Sequence, residues 1–355
     1  MTTQTKSPMP KSFVRAIRGE IQARPCFWLM RQAGRYLPEY RATRAQAKGF
    51  VDLCLRPDLA TEITLQPIRR YGMDAAILFS DILMIPHGLG QKLEFKEGEG
   101  PVLEPVTDAA GIAALEKGLD GCLEKLGPIF ETVSRVKAAL PLDTALIGFA
   151  GAPWTVATYM VEGGGSKDFA KVRLLAARDP ALFEKLIDVL IEATTRYLSR
   201  QIDAGAEVLQ LFDTWAGVLP EDEYQRWAIE PVKEIIAQVR ARHPSIPIIY
   251  FPKGSGMLYT HAAAETGADA LGIDTSVPME FAKLLQHQVT VQGNLDPIKL
   301  AAGGKAMEES INRILAALAG GRFVFNLGHG VIPQTPPEHV ARLAEIIRGW
   351  RHRAN

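Results

Sequence analysis

The stretch Ala75-Ala-Ile-Leu-Phe-Ser-Asp81-Ile-Leu-Met84 decides the fold. Its first five residues are apolar without a break, bounded by Tyr71-Gly-Met-Asp74 before and Ser80-Asp81 after. A run this short and this apolar predicts a strand buried on both faces, the mark of a parallel sheet. Asp81 then falls where the strand ends, with Ile82, Leu83, Met84, Ile85 and Pro86 following. A carboxylate among apolar residues is costly without a partner, because desolvation disfavours its charge. A helix cap or a structural ion pair is the plain alternative to a functional role.

Working outward, the same pattern recurs. Apolar runs at 25–30, 144–150, 206–212, 246–251, 270–273, 289–294 and 322–327 join 75–79 to make eight strands, each followed by a helical stretch. Helices are expected over 11–21, 57–70, 109–139, 167–177, 180–204, 221–242 and from 337 to about 351, with a shorter one opened by Gly151-Ala-Pro-Trp154 and running through Tyr159. Residues 31–48 read as a basic loop punctuated by Gly34 and Pro38, and 87–108 as an inserted excursion with hairpin character. Eight βα units in one chain predict an α/β fold of the (β/α)8, TIM-type barrel kind, lengthened by insertions in its βα loops beyond the ~250-residue norm. A doubly wound open sheet would want a Gly-rich phosphate turn after its first strand, and Arg31-Gln-Ala-Gly-Arg35 is not one. The expected organisation is a disordered tail over 1–10 and a single barrel domain over 11–355.

Composition narrows the function. Of the 355 residues, 40 are Lys or Arg and 40 Asp or Glu, so the formal net charge is zero, which argues against a general nucleic-acid binder. The 47% apolar and 23% charged fractions are those of a soluble globular protein. Three scattered cysteines, Cys26, Cys54 and Cys122, with no C-x-x-C, suit free thiols in a reducing cytoplasm. Residues 1–9 lack an apolar signal segment, and no apolar run is long enough to span a membrane. No metal-ligand spacing, Walker loop or flavin fingerprint occurs, so no metal and no cofactor is expected.

In a barrel the strand C-termini converge on one face, where chemistry is built. The polar residues at those ends are Arg31 and Arg35, Asp81, Tyr159 one helical stretch on, Asp213 and Thr214, Lys253, Asp274, Asn294 and His329. Each has a plain explanation: solvated charge for the arginines, core packing for Tyr159, helix caps for Asp213 and Asp274. His329 stands between Gly328 and Gly330, where the backbone can approach a ligand closely. Arginine forks suit carboxylates and phosphates, and a buried carboxylate suits a cation or several N–H donors. A polycarboxylate with an N–H-rich or cation-forming centre would satisfy both.

The stretches Met30-Arg-Gln-Ala-Gly-Arg-Tyr-Leu-Pro38, Phe79-Ser-Asp-Ile-Leu83, Gly151-Ala-Pro-Trp154 with Thr158-Tyr-Met-Val-Glu-Gly163, Gln292-Gly-Asn-Leu-Asp-Pro297 and Asn326-Leu-Gly-His-Gly330 resemble the uroporphyrinogen decarboxylase family. The resemblance spans residues 25–340. It implies a cytoplasmic, cofactor-free homodimer that converts the four acetate side chains of uroporphyrinogen III to methyl groups, giving coproporphyrinogen III for haem and related tetrapyrroles. By the same resemblance Arg31 and Arg35 meet substrate carboxylates, Asp81 faces the four pyrrole N–H groups, and Tyr159 and His329 line the cleft. Thr214 stands where many relatives have Ser and keeps the hydroxyl. Asp81, Arg31, Tyr159 and His329 are therefore the candidate catalytic residues, and Arg31, Arg35, Asp81, Tyr159, Thr214 and His329 the substrate-binding ones.

The chemistry fits the composition. A protonated pyrrole is an electron sink for loss of carbon dioxide, and a fixed carboxylate beside it favours the cation. Arg31, Tyr159, His329 or a water held by one of them are the proton-donor candidates. A corrinoid-linked methyltransferase of the same superfamily is the runner-up, but it wants a zinc site of His and Cys late in the barrel, and all three cysteines lie in the first half. A non-catalytic tetrapyrrole-binding protein would keep the arginines without needing Asp81.

Overall fold

The computed structural model describes residues 9–96 and 98–351. Of the tail expected over 1–10, residues 1–8 lie outside the described residues, and Met9 and Pro10 carry no regular structure. In chain order the strands are β1 Cys26–Phe27, β2 Ala75–Ile77, β3 Leu93–Lys96, β4 Gly100–Leu103, β5 Ala145–Gly151, β6 Val208–Asp213, β7 Ile248–Pro252, β8 Ala270–Gly272, β9 Thr290–Leu295 and β10 Phe323–Leu327. Eight of them form one parallel sheet in the order β1-β10-β9-β8-β7-β6-β5-β2. All eight apolar runs read as strands are strands of this nearly closed barrel. The excursion before helix 109–125 is the antiparallel hairpin β3-β4, tied to the end of helix Pro153–Glu162 by Leu103 N–H to Gly163 O (3.0 Å) and Val106 N–H to Met160 O (3.0 Å).

The ring is closed between β1 and β2 by Asp74 rather than by a ladder. Its backbone N–H donates to Phe27 O (3.0 Å), and its carboxylate accepts from Phe27 N–H (2.9 Å) and from both arms of the Arg24 guanidinium (2.7 and 2.9 Å). Gln32, wholly buried, adds a bond from its amide to Ala75 O (3.2 Å) while accepting from Leu29 N–H. Two short strands thereby gain the directional bonds that their lengths do not supply.

Inside the barrel Trp28, Met30, Ala75, Ala145, Ile147, Val208, Ile249, Phe251, Ala270 and Val324 pack as one cluster. Phe13, Val14, Ala16 and Ile17 of helix Ser12–Ile17 plug its lower mouth, where Thr290 Oγ1 donates to Ala16 O. A buried polar chain crosses the interior: Trp28 Nε1 donates to Gln292 Oε1 (2.8 Å) and Gln292 Nε2 to Gln210 Oε1 (3.2 Å). Ile77 and Phe212 are partly exposed, marking the upper mouth as an open cleft with an apolar floor.

Several expected helices differ in their bounds. The basic loop over 31–48 contains a helix, Pro38–Arg44, because Pro38 occupies the first turn, where its missing N–H costs nothing. The helix expected over 109–139 is two, Ala109–Lys125 and Gly127–Ala139, broken where Pro128 follows. The one expected over 221–242 widens to a π turn at Gln225–Ile229, just ahead of Pro231, whose ring displaces the carbonyl four residues back. The first helix stops at Ile17, before Gly19 at φ +92°.

Asp74 gives the closure a direct test. Asp74→Ala removes three side-chain bonds to a charged acceptor and strands Arg24, so it should cost about 2–4 kcal/mol and lower the thermal midpoint by several degrees. An unchanged midpoint in a thermal melt would show that packing alone closes β1 on β2.

Candidate active site

The cleft is built from the loops that follow the strands. After β1 the chain turns sharply, and Arg31 takes a left-handed backbone conformation, φ +60°, rare for a residue with a side chain. The surrounding loops hold it there. Met30 N–H donates to the Asn326 side-chain oxygen (3.0 Å), and Met30 O accepts from Val331 N–H (2.9 Å). A Cβ on Gly330 would sit 2.3 Å from Arg31 Cδ, so only glycine leaves room for the arginine stem. The glycines flanking His329 therefore serve approach by the protein itself: Gly330 admits Arg31, and Gly328 packs on Thr275. The rest of the loop is pinned by Tyr36 Oη to Gln32 O (2.8 Å) and by Arg41 Nη1 to Arg35 O (2.8 Å). Arg31 and Arg35 are exposed, and neither pairs with a carboxylate among the described residues.

Asp81 lies beyond β2 at the cleft floor, partly exposed. One carboxylate oxygen accepts from Leu83 N–H at 2.9 Å, a local turn rather than a helix cap, since helix Met84–Gly88 has Leu83 at its cap position. Among the described residues that is its single protein hydrogen bond. Burial pushes its pKa up to about 6, against the opposing pull of the Leu83 N–H and of Arg31. Behind it, its charge adds to the burial that raises the Cys54 thiol. In front, burial raises the Tyr159 hydroxyl, the Trp215 indole opposes this, and Asp81 and Arg31 then act with opposite signs. The indole Nε1–H of Trp215 makes no hydrogen bond of normal geometry, and its ring stands 6.3 Å from that of Tyr159.

His329 follows β10, half-buried. Burial, then Arg31 and Lys253, push its pKa down to about 4 while Asp274 opposes, so its imidazole is neutral at neutral pH. Thr214 follows β6, half-buried, beside the fully buried Asp213. Asp213 accepts from Thr155 Oγ1 (2.6 Å) and Tyr250 Oη (2.9 Å), and burial raises it to about 6 although those hydroxyls oppose. The same Thr155 hydroxyl accepts from the backbone N–H of Trp215 (3.0 Å), so Asp213 anchors the strand-end turn rather than capping a helix. Asp274 does not cap the next helix either. That helix, Met279–Leu285, has Pro278 at its cap, while Asp274 accepts from Gly254 N–H, Tyr259 Oη and both the N–H and hydroxyl of Ser276.

Arg31, Asp81, Tyr159 and His329 thus form one electrostatically linked group. Arg35 is exposed, its charge a minor counter to the burial that raises the Tyr40 hydroxyl, and Thr214 lies at its strand end. Trp215 and Asn326 escape a reading of strand-end polarity, although both adjoin residues it picks out. Two shallow grooves of about 570 and 730 Å³ lie beside Arg200 and Asp203 on the outer helices, and no strand-end residue lines them. Among the described residues no three His, Cys, Asp or Glu are grouped to hold a metal ion.

The profile of the family described as "Uroporphyrinogen decarboxylase (URO-D)" matches residues 9–350. A uroporphyrinogen decarboxylase of Rhodospirillum rubrum is 57% identical over 346 residues, covering 97% of this chain and 99% of its own. One of Sinorhizobium fredii is 55% identical, covering 96% and 98%. Among solved structures a methyltransferase from Methanosarcina mazei superposes with a TM-score of 0.73 at 16% identity, covering 95% of this chain and 97% of that one, a likeness of fold alone.

The Asp81 pKa sets a stability test. Because it lies above the ordinary 3.8, the folded chain holds a proton that the unfolded chain has released between about pH 4 and 6. That stabilisation is complete below about 4 and lost as pH rises through about 6. Asp81→Asn stays neutral throughout. It should be more stable than the parent at pH 8 by about 1–3 kcal/mol, the upper figure being the whole of that linkage and the lower its value discounted for partial exposure, with the gap closing by pH 4. Urea unfolding at both pH values checks this; a gap independent of pH would contradict it.

Proposed function

The chain belongs to the uroporphyrinogen decarboxylase family, and from that premise we propose how its cleft divides the work. The reaction removes carbon dioxide from the four acetate side chains of uroporphyrinogen III, giving coproporphyrinogen III. The observation that carries the assignment is Asp81: a partly desolvated carboxylate with one oxygen fixed by Leu83 and no other protein partner among the described residues.

Arg31 and Arg35 bind substrate carboxylates, Arg31 being the cation that also bears on Asp81. Asp81, ionised above about pH 6, accepts from the pyrrole N–H groups. When a ring carbon beside the acetate-bearing position takes a proton, the ring becomes cationic next to a charge that is already oriented, and little reorganisation is needed. The bond from the acetate methylene to its carboxylate then breaks, its electron pair neutralises the ring, and carbon dioxide leaves. A second proton on the exocyclic methylene, with loss of the first from the ring, completes the methyl group. Burial keeps Tyr159 protonated and His329 neutral at neutral pH, so both can hydrogen-bond and order a proton-carrying water. An arginine is too weak an acid to be the preferred donor. Thr214 offers a hydroxyl to a substrate carboxylate.

Since the protonated pyrrole is itself the electron sink, the enzyme works without a cofactor. It acts as a cytoplasmic homodimer; no helix among the described residues is long and apolar enough to cross a membrane. The corrinoid-linked methyltransferase and the passive tetrapyrrole binder lack an observation in their favour here.

Anaerobic incubation of chelator-treated protein with uroporphyrinogen III should yield seven-, six- and five-carboxylate intermediates and then coproporphyrinogen, resolved by chromatography. Asp81→Asn should slow this about a hundredfold, the scale of one preorganised electrostatic group of roughly 3 kcal/mol. Asp81→Glu should keep more activity while changing the mix of intermediates. Near-normal turnover in Asp81→Asn would return Asp81 to a turn-forming role.

A further inference from the structure

Lys253 follows β7 and is left without a role by the assignments above. In the hydrogen-bonded ring β1-β10-β9-β8-β7-β6-β5-β2, β7 is four places from β1 in either direction. Lys253 therefore rises from the wall facing the one that carries Arg31 and Arg35. Its backbone is fixed from both sides. Its N–H donates to Asp213 O (3.1 Å), its carbonyl accepts from Gly217 N–H (3.1 Å), and the next residue, Gly254, donates to Asp274 (2.7 Å). Gly217 lies so close that a Cβ there would be 2.3 Å from Gly254 O.

The side chain is free by contrast. It stands with Nζ 5.7 Å from the centroid of the Trp215 ring, the ring that also packs on Tyr159. A cation over an indole face is held by the ring quadrupole yet keeps its N–H donors for another acceptor. Its charge is felt across the cleft: after burial, and together with Arg31, it holds down the proton affinity of His329 on the loop after β10. No carboxylate pairs with it among the described residues, although Asp213 and Asp274 are its neighbours; both spend their oxygens on hydroxyl and N–H donors.

We propose that Lys253 is a further substrate-binding residue, taking a carboxylate on the edge of the macrocycle opposite the one that meets Arg31 and Arg35. The inference rests on the tetrapyrrole reading of the cleft. A substrate with an acetate and a propionate on each of four rings carries carboxylates around its whole edge, so cations on one wall alone would leave the far edge unmatched. The macrocycle must also turn between decarboxylations, so the far wall meets a different carboxylate each time. A lysine on a flexible stem suits that better than an arginine fork, which fixes one planar geometry.

The test compares Lys253→Gln and Lys253→Arg with the parent, all checked for fold by circular dichroism. For Lys253→Gln the KM for uroporphyrinogen III should rise about tenfold, with kcat within about threefold and a weaker dependence of KM on salt. Lys253→Arg should recover most of the affinity. Binding of uroporphyrin III, the oxidised ring that cannot react, measures the contact without turnover and should weaken in the same ratio. If the parent binds uroporphyrin but releases no carbon dioxide, the proposed activity falls while a weakened Lys253→Gln still supports the contact. Unchanged uroporphyrin affinity in Lys253→Gln overturns the inference whatever the turnover.

Discussion

A carboxylate removed from water and given one hydrogen bond is the constraint around which this cleft is arranged. Asp81 keeps a single bond to Leu83 and partial exposure, and burial lifts its pKa to about 6. Fully paired, as Asp213 and Asp274 are, a carboxylate is a structural anchor; left with an unused oxygen at an apolar floor, it is a poised charge. The three aspartates, at the ends of β2, β6 and β8, show the difference within one fold. Such a charge costs stability that a neutral side chain would not, which is the trade expected where function needs an unsatisfied group.

The opposite charge is positioned with equal care. Arg31 adopts a left-handed backbone conformation that the β10 loop enforces, through Asn326 on Met30 and the space Gly330 leaves for the side chain. A strained residue held by several independent contacts is pre-organised rather than adaptable. Arg35 is exposed and without such packing, so its side chain keeps a freedom that Arg31 lacks.

The barrel was legible because its evidence is local: eight short apolar runs, each spaced by a helix, need no tertiary information. The hairpin at 93–103 was legible for the same reason, its Gly-rich charged composition breaking the βα rhythm. Helix Pro38–Arg44 was missed because proline reads as a breaker unless it is placed at a first turn, and the chain about it is too basic to show an apolar face. At the candidate site, Asp81, Arg31 and His329 can be picked out as polar residues at strand ends, and Tyr159 on the helix that follows β5. The contacts that set their properties cannot: Asn326 lies 296 positions from Met30, and Trp215 lies 60 from Thr155. The helix-cap reading of Asp274 failed because its partners, Gly254 and Tyr259, come from the preceding βα unit.

If the Asp81 charge is what the cleft is built to hold, activity must follow its ionisation. The most direct measurement is the pH dependence of kcat/KM under anaerobic conditions, which reports groups of the free enzyme. Neutral Asp81 cannot stabilise a ring cation, so kcat/KM should rise with pH through a limb centred near 6. That limb should be absent from the residual activity of Asp81→Asn and retained in Asp213→Asn, whose carboxyl titrates in the same range but faces Thr155 and Tyr250. A limb that persists unchanged in Asp81→Asn would contradict the account.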